Sequence, residues 1–550
     1  GEYTVNRTYD SEGNCTRITS SLGADIRHTY DREGNLQTMQ AGESWQASWV
    51  RDNTGLEVQR TFSGGVTVRT ERDCFGREVR KSVRSGGIER GAYRYQWGIA
   101  NRLLSKENEL TGTVTRYDYD RFDFLIRQET VQGSETDVIY RVPDFVGNLF
   151  ETPDKKDRKY GAGGKLLEDP DCFYHYDDEG NLIFREFKQL QETGVKFDRK
   201  RMEKERGIHF LATGTGWLYE WSSNGMLKKV IRPDGRPVEF RYDALGRRTA
   251  KQYFGKVTRW VWDGNVPIHE WSYKVTDMQS DEKESTPLKE PTKDITTWVF
   301  EAGTFVPTAK IQEGKQYSIV SDYLGTPIQM YDEQGDKTWD CTLDIYGKVL
   351  AIDKGTEFDC PFRYAGQYFD SEINLCYNHF RYYSPETGGY LSQDPIRLTG
   401  NNPTLYAYVA DPNIWLDQFG LDPLGTGGYS VYALYEKGVV EPYYVGITKQ
   451  DIDVRMGQHM ETGRYGANTI HKVLESDITI ERARGYEQFY IEKYGTKTGT
   501  IGTEISASNR GNKINSFDKT RTDVRGKAFK AEYDDIVNNS NSGKTRTCSH

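Results

Sequence analysis

The sequence is short of several things that would have classified it at once. Its seven cysteines (Cys15, Cys74, Cys172, Cys341, Cys360, Cys376 and Cys548) are scattered and form no C-x-x-C pair. That argues against a disulfide framework and against a zinc ribbon. Hydrophobic residues make up only 36% and mean hydropathy is −0.78, low for a compact globule of 550 residues. A thin wall with two solvated faces would account for the deficit. No apolar run approaches the length of a membrane-spanning helix. Strong basic charge is missing too: net charge is −9, so the chain as a whole carries no electrostatic sign of nucleic-acid binding. The imbalance lies in the body, with 55 Lys+Arg against 65 Asp+Glu in residues 1–421 and 18 against 17 in 422–550. No signal peptide is visible, but the chain opens in mid-pattern on GEYTVNRTYDSEGN and reads as a piece of something longer, which leaves export open.

What is plentiful is Tyr (37) and Gly (55). Tyr packs well on a pleated surface and Gly supplies positive φ, a pairing suited to short strands and tight turns. Their order is periodic. Asp10 opens DSEGN, Asp31 DREGN, Asp52 DNTGL and Asp73 DCFGR, at a spacing of 21 residues, with Gly13, Gly34, Gly55 and Gly76 three positions on. Related units recur less regularly, as in YDDEGNL from Tyr176, YDALGRR from Tyr242 and YDEQGDK from Tyr331. In each, an aromatic–Asp pair ends a strand, the Asp caps backbone N–H groups of the turn, and Gly takes the left-handed position. The repetition predicts hairpin after hairpin in one extended sheet, whose units bury their apolar faces only by stacking.

These motifs resemble the YD repeats of the Rhs family, related to teneurins and to the C components of insecticidal toxin complexes. The resemblance covers roughly residues 1–421. It implies a mainly β fold, a YD-repeat spiral sheet closed into a hollow cocoon, with the shell over 1–375 and a C-terminal cargo enclosed. Two stretches break the pattern: 187–207 reads as a charged helix and 276–294 as a mobile loop, both decorating the outside.

Residues 376–421 are rich in turns and aromatics, with Asp394 and Asp417 among apolar neighbours. Two carboxylates held close in a dry site share a proton, so one can activate water while the other protonates a leaving amide. The plainer alternative is that Asp394 and Asp411 start turns and Asp417 pairs with an Arg. The segment is similar to the self-cleaving aspartyl protease that closes Rhs shells and cuts after D-P-x-G-L. The resemblance implies cleavage between Leu421 and Asp422, Asp394 and Asp417 as the catalytic pair, and Arg381 as the residue that orients a carboxylate. Gln418 stands in place of the family's Pro, and Arg397 in place of its Gly.

Residues 422–550 read as a small α+β domain. SVY and YVG lie on two strands joined by a turn, with 11 residues between Tyr432 and Tyr444. A helix follows with Asp451 as its N-cap and places Arg455 and His459 one turn apart on one face. IERARGYEQFYIEKYG reads as a second helix, with Gly485 a mild fault and Gly495 a stop. Taken together this resembles the GIY-YIG nucleases. The resemblance implies Tyr432 as general base, Tyr444 positioning it, Arg455 on the phosphate, His459 moving a proton, and Glu487 holding Mg²⁺ (or Mn²⁺). It also implies a late Asn on the phosphate, with Asn515 the best candidate and Asn509 and Asn512 close rivals. Phosphodiester hydrolysis needs these types: a base, a bidentate cation and a hard metal with oxygen ligands. With a near-neutral tail, binding leans on local patches such as residues 521–530.

The expected protein is therefore a secreted toxin effector whose shell releases a metal-dependent DNase in the cytoplasm of a target cell. The resemblance implies a cognate immunity protein and a secretion partner of type VI kind, met through a missing N-terminal region. Two alternatives stay open: the same architecture with an RNase tail, and a teneurin-like adhesive protein with an inert C-terminal domain.

Overall fold

The structure, a computed structural model, describes residues 3–121, 124–277, 290–395, 404–421, 429–448, 452–478, 480–498, 505–506, 509–513, 515–517, 519 and 524–541. The chain divides into two units, Gly1–Asp422 and Pro423–His550.

Hairpins build the first unit. Asp10 Oδ1 accepts from the N–H groups of Glu12 (3.0 Å) and Asn14 (2.9 Å), and Asp31, Asp73, Asp243 and Asp344 make the same reach to residues two and four positions on. Gly13 and Gly34 sit at φ of +89° and +82°, where a side chain is strained. Each turn is entered through a bulge: Thr8 pairs with Arg17 but Tyr9 with Cys15, and Thr29 with Thr38 but Tyr30 with Leu36. The extra residue strengthens the local twist at these Asp–x–x–Gly ends.

Thirteen strands, from Val5–Tyr9 to Glu135–Tyr140, pair in sequence order, and sixteen more do so from Lys159–Tyr160 to Val349–Lys354. The repeat predicted one extended sheet, whereas the chain makes two. They part at a two-residue ladder pairing Val142 with Phe150 and Pro143 with Leu149. Nor does each sheet have two wet faces. In Thr67–Arg72, Val68 and Thr70 are buried while Arg69 and Glu71 are exposed. The packed faces meet: Trp45, Val68 and Val83 share one core with Ile268, Val299 and Val320. Polar ties cross the same seam, Trp45 Nε1 to Ser318 Oγ at 3.1 Å and Arg60 to Glu301 at 2.9 Å.

Of the stretch expected as a helix over 187–207, only α1 (Arg199–Arg206) is helical, capped by Asp198 and ended by Gly207 at φ +64°. It is also less peripheral than its charge suggests, since Met202 is buried against Phe184, Ile208 and Phe210. Most of the expected loop at 276–294 (278–289) lies outside the described residues; Glu290 at its end accepts from Tyr3 and Tyr273.

A four-stranded sheet (Tyr368–Asp370, Leu375–Asn378, Arg381–Ser384, Gly389–Tyr390) follows the long sheets. It packs Leu375, Tyr377 and Tyr382 onto Leu227, Val238 and Phe240. Arg248 pins it from below, ion-paired with Asp370 and stacked 4.4 Å from the Trp260 ring and 4.6 Å from that of Tyr377.

The second unit has a three-stranded antiparallel sheet in the order Tyr444–Thr448, Tyr429–Glu436, Thr469–Ile478, with helices α2 (Ile452–Glu461), α3 (Ile480–Tyr494) and α4 (Val524–Asn541). Thr469–Ile478 was not expected: TIHKVLESDI alternates poorly, and its pairing along Tyr429–Glu436 makes it a strand. Gly485 is no fault, because a Cβ there would stand 2.9 Å from the backbone N of Tyr533 in α4. Gly495, at φ +60°, ends α3 as expected. The N-cap residue Asp451 and the first part of the basic patch, 521–523, lie outside the described residues.

Candidate active sites

In the first unit the short sheet brings Arg381, Asp394 and Asp417 together. Arg381 Nη2 lies 3.1 Å from Asp394 Oδ2 and 3.2 Å from Asp417 Oδ2, and all three side chains are almost fully buried. Asp417 is surrounded by donors. Its Oδ1 accepts from the N–H groups of Leu421 (2.8 Å) and Phe419 (3.3 Å), and its Oδ2 from the Tyr390 hydroxyl (2.7 Å) as well as from Arg381. Arg381 Nε also donates to the carbonyl of Gly420. Burial pushes the Asp417 carboxyl up to about 6, against the pull of Arg381, Tyr390 and Leu421, with a smaller push from Asp394.

Gly420 is required twice over. Its φ is +65°, and a Cβ would stand 2.4 Å from the carbonyl oxygen of Asn378. Leu421 is buried, whereas Asp422, on the far side of the expected scissile bond, and Arg397 lie outside the described residues. Asp411 is not part of this group; its carboxylate accepts from Asn413 N–H at 2.9 Å and serves a turn. Tyr390 and Asn378 were not singled out from the sequence, where an aromatic and an amide on strands carry no chemical signal.

In the second unit, Tyr432, Tyr444, Arg455 and His459 meet around one hydroxyl. Arg455 Nε donates to the Tyr432 oxygen at 3.0 Å, and His459 Nε2 lies 2.6 Å from the same oxygen. Arg455 has no acceptor, so the Tyr432 proton is free to point at a neutral Nε2. His459 is neutral at pH 7: burial, then the charges of Arg455 and Arg464, push it down to about 3. Burial holds the Tyr432 hydroxyl well above its usual range, and Arg455 opposes that. Tyr444 packs edge-on against His459, ring centres 5.1 Å apart, and is covered by Arg464 at 4.4 Å. Arg464 escaped the sequence reading because it sits beyond α2 in a turn with no motif.

The G of YVG has a steric reason. Tyr432 pairs directly with Gly446, and a Cβ at Gly446 would lie 2.7 Å from the Tyr432 hydroxyl and 2.8 Å from Tyr444 Cε1. Glu487, buried on α3, raises Tyr432 by its charge. Its Oε2 accepts from Ser516 Oγ and from Arg484. Arg484 is its ion partner at 3.2 Å, and among the described residues no group of three or more His, Cys, Asp or Glu side chains gathers there. Of the three asparagines, Asn515 is exposed. Asn509 Oδ1 accepts from Thr498 at 3.2 Å. Asn512 is buried and clamps Val445, accepting from its N–H at 3.0 Å and donating to its carbonyl at 2.7 Å.

Residues 151–407 match the family model described as Teneurin YD-shell. Over 540 residues the chain is 25% identical to the probable deoxyribonuclease RhsA of Dickeya dadantii, covering 95% of this chain and 34% of that protein. It is 29% identical to double-stranded DNA deaminase toxin A of Burkholderia cenocepacia over 442 residues, covering 76% of this chain and 28% of that protein. The chain thus spans about a third or less of these relatives. Among solved structures it resembles the TcdB2-TccC3-Cdc42 crystal structure, with a TM-score of 0.55 at 18% identity over 76% of this chain and 22% of that one. At that identity the likeness is one of fold.

Proposed function

We propose that this chain belongs to the Rhs/YD-shell family and is part of an interbacterial toxin that cuts itself after Leu421 and frees a GIY-YIG type endonuclease. A relative named as a probable deoxyribonuclease, matched over 95% of this chain, favours a tail aimed at DNA. The release step rests on Arg381, whose single nitrogen Nη2 bridges both carboxylates. Four donors around Asp417 favour its ionised form, so Asp417 takes a proton from water as the water oxygen adds to the Leu421 carbonyl carbon. The C–N bond then breaks, Asp394 gives its proton to the leaving nitrogen of Asp422, and a proton returns from Asp417 to Asp394.

The nuclease step is carried by the hydroxyl of Tyr432 between Arg455 and His459. Tyr432 passes its proton to His459 Nε2 and takes one from the attacking water, and His459 then protonates the leaving oxygen. A phosphate held by the Arg455 fork offsets the cations that depress His459, which raises its basicity when substrate is present. Glu487 is the residue that would hold Mg²⁺; when bound, the ion supplies charge neutralisation at the phosphate. A sheltering shell, a cognate immunity protein, delivery by a secretion system and action in the target-cell cytoplasm complete the proposal.

Two assays test it. The full chain should yield fragments of 421 and 129 residues on a denaturing gel, lost on Asp394→Asn or Asp417→Asn. The protein should nick plasmid DNA with Mg²⁺, and Glu487→Ala or Arg455→Ala should abolish nicking. Intact DNA beside degraded RNA would make the tail an RNase instead. An uncut chain with an inert tail would favour the adhesive reading.

A further inference from the structure

The candidate cleavage turn is built like a shell repeat with one bond changed. Asp417 Oδ1 accepts from the N–H groups two and four residues on, and Gly420 at position three has φ of +65°. Asp10, Asp31, Asp73 and Asp243 do the same, with Gly13, Gly34, Gly76 and Gly246 at φ between +78° and +89°. The difference lies in Oδ2. In those repeats it is tied to the fourth residue's side chain: Asn14 for Asp10, Asn35 for Asp31, Arg77 for Asp73 and Arg247 for Asp243. In the cleavage turn the fourth residue is Leu421, which, like Leu56 in the exposed turn of Asp52, has nothing to donate. Oδ2 is released from its own turn and is met instead by the hydroxyl of Tyr390, at 2.7 Å, and by Arg381.

We infer that Tyr390 is a positioning residue of the self-cleavage site, replacing the repeat's own side-chain donor so that Asp417 Oδ2 is held, ionised, beside Asp394. The inference rests on the self-cleavage reading above. Oδ1 tethers the backbone just before the scissile bond, which leaves Oδ2 to receive the proton of water. Tyr390 is itself fixed: Asn378 Nδ2 donates to its oxygen at 2.8 Å and to the Asp417 carbonyl at 2.8 Å, and the Arg381 guanidinium stacks 3.6 Å from its ring centre. The titratable and charged groups that face Asp417 are Arg381, Asp394, Tyr390 and Tyr408, with His379 packed on Phe419 of the turn. Burial pushes His379 down to about 4, so it brings no charge at pH 6. Removing the Tyr390 hydroxyl takes away a donor to ionised Asp417 and raises its pKa further.

The test follows cleavage of the full chain, made by cell-free synthesis, as a first-order rate against pH. In the wild type the rate falls on the acid side with a midpoint near 6, where Asp417 is protonated. Tyr390→Phe is expected to move that midpoint up by about one pH unit, the size of one charge-assisted hydrogen bond, with cleavage retained at pH 8. Leu421→Asn restores a donor at the fourth position, draws Oδ2 back to its turn, and is expected to slow cleavage by about tenfold or more. An unshifted midpoint in Tyr390→Phe overturns the inference, as does Leu421→Asn cleaving like the wild type. Loss of all cleavage in a protease-resistant Tyr390→Phe chain also overturns it, by giving the hydroxyl a part in the reaction itself. If the wild type stays whole, or Asp394→Asn is still cut, self-cleavage has failed rather than the role of Tyr390.

Discussion

Gly446 lies directly beneath Tyr432: the two pair across neighbouring strands, and a Cβ on the glycine would stand 2.7 Å from the tyrosine hydroxyl. That hydroxyl is the meeting point of Arg455 and His459, so a methyl group at residue 446 displaces the centre of the site. Gly446→Ala is expected to reduce plasmid nicking by about a hundredfold, the scale of a 1 Å misplacement. A tail that nicks normally with this substitution would show that Tyr432 is not where the chemistry happens.

His459 gives a second reading of the same site. Its imidazole is neutral across the physiological range, with a midpoint of about 3 set by burial and by Arg455 and Arg464. A folded-state value below the usual one means that this histidine favours the folded tail above pH 6.5 and withdraws that support as pH falls towards 3. Addition of a short DNA duplex to Glu487→Gln protein should move the His459 NMR titration midpoint upward. A midpoint that stays put with DNA bound would separate His459 from the phosphate.

The three late asparagines can be told apart by stability. Asn512→Ala leaves both the N–H and the carbonyl of buried Val445 without their partner, at a cost of about 2–4 kcal/mol. Thermal unfolding should register that loss. Asn515→Ala, at an exposed position, should leave unfolding unchanged, and any loss of nicking it causes would then mark Asn515 as the residue that meets phosphate.

One turn geometry occurs with and without crowding. Gly34 has φ +82° and no neighbour nearer than 3.9 Å, so Gly34→Ala should cost about 1–2 kcal/mol through the backbone alone. Gly420 has a similar φ but faces the Asn378 carbonyl at 2.4 Å from where a Cβ would sit. Gly420→Ala should therefore stop fragment formation while Gly34→Ala leaves it intact, compared side by side on a denaturing gel.

Much of this was legible in the chain because the relevant forces are local. The 21-residue spacing of Asp10, Asp31, Asp52 and Asp73 writes out the hairpins, since an Asx turn and a left-handed glycine need only five consecutive residues. Arg455 and His459 could be placed on one face because a helix turn fixes their separation. The strand Thr469–Ile478 was missed because its pattern is weak and its partner, Tyr429–Glu436, supplies what the pattern lacks. Tyr390 and Asn378 were invisible for a similar reason: each matters through a partner distant in sequence, Asp417.

By itself the sequence determined the repeating turn, the mainly β character and the candidate residues of both sites, all set by spacing along the chain. Tertiary structure decided the rest. It split the repeat into two sheets with a shared core, because apolar faces must find one another. It also made one Asp–x–x–Gly turn unlike the others. Asp10 lies exposed in water, whereas Asp417, with the same local geometry, is sealed against Arg381, Asp394 and Tyr390. Burial and neighbouring charge govern a carboxylate's proton, and both are properties of the packed fold.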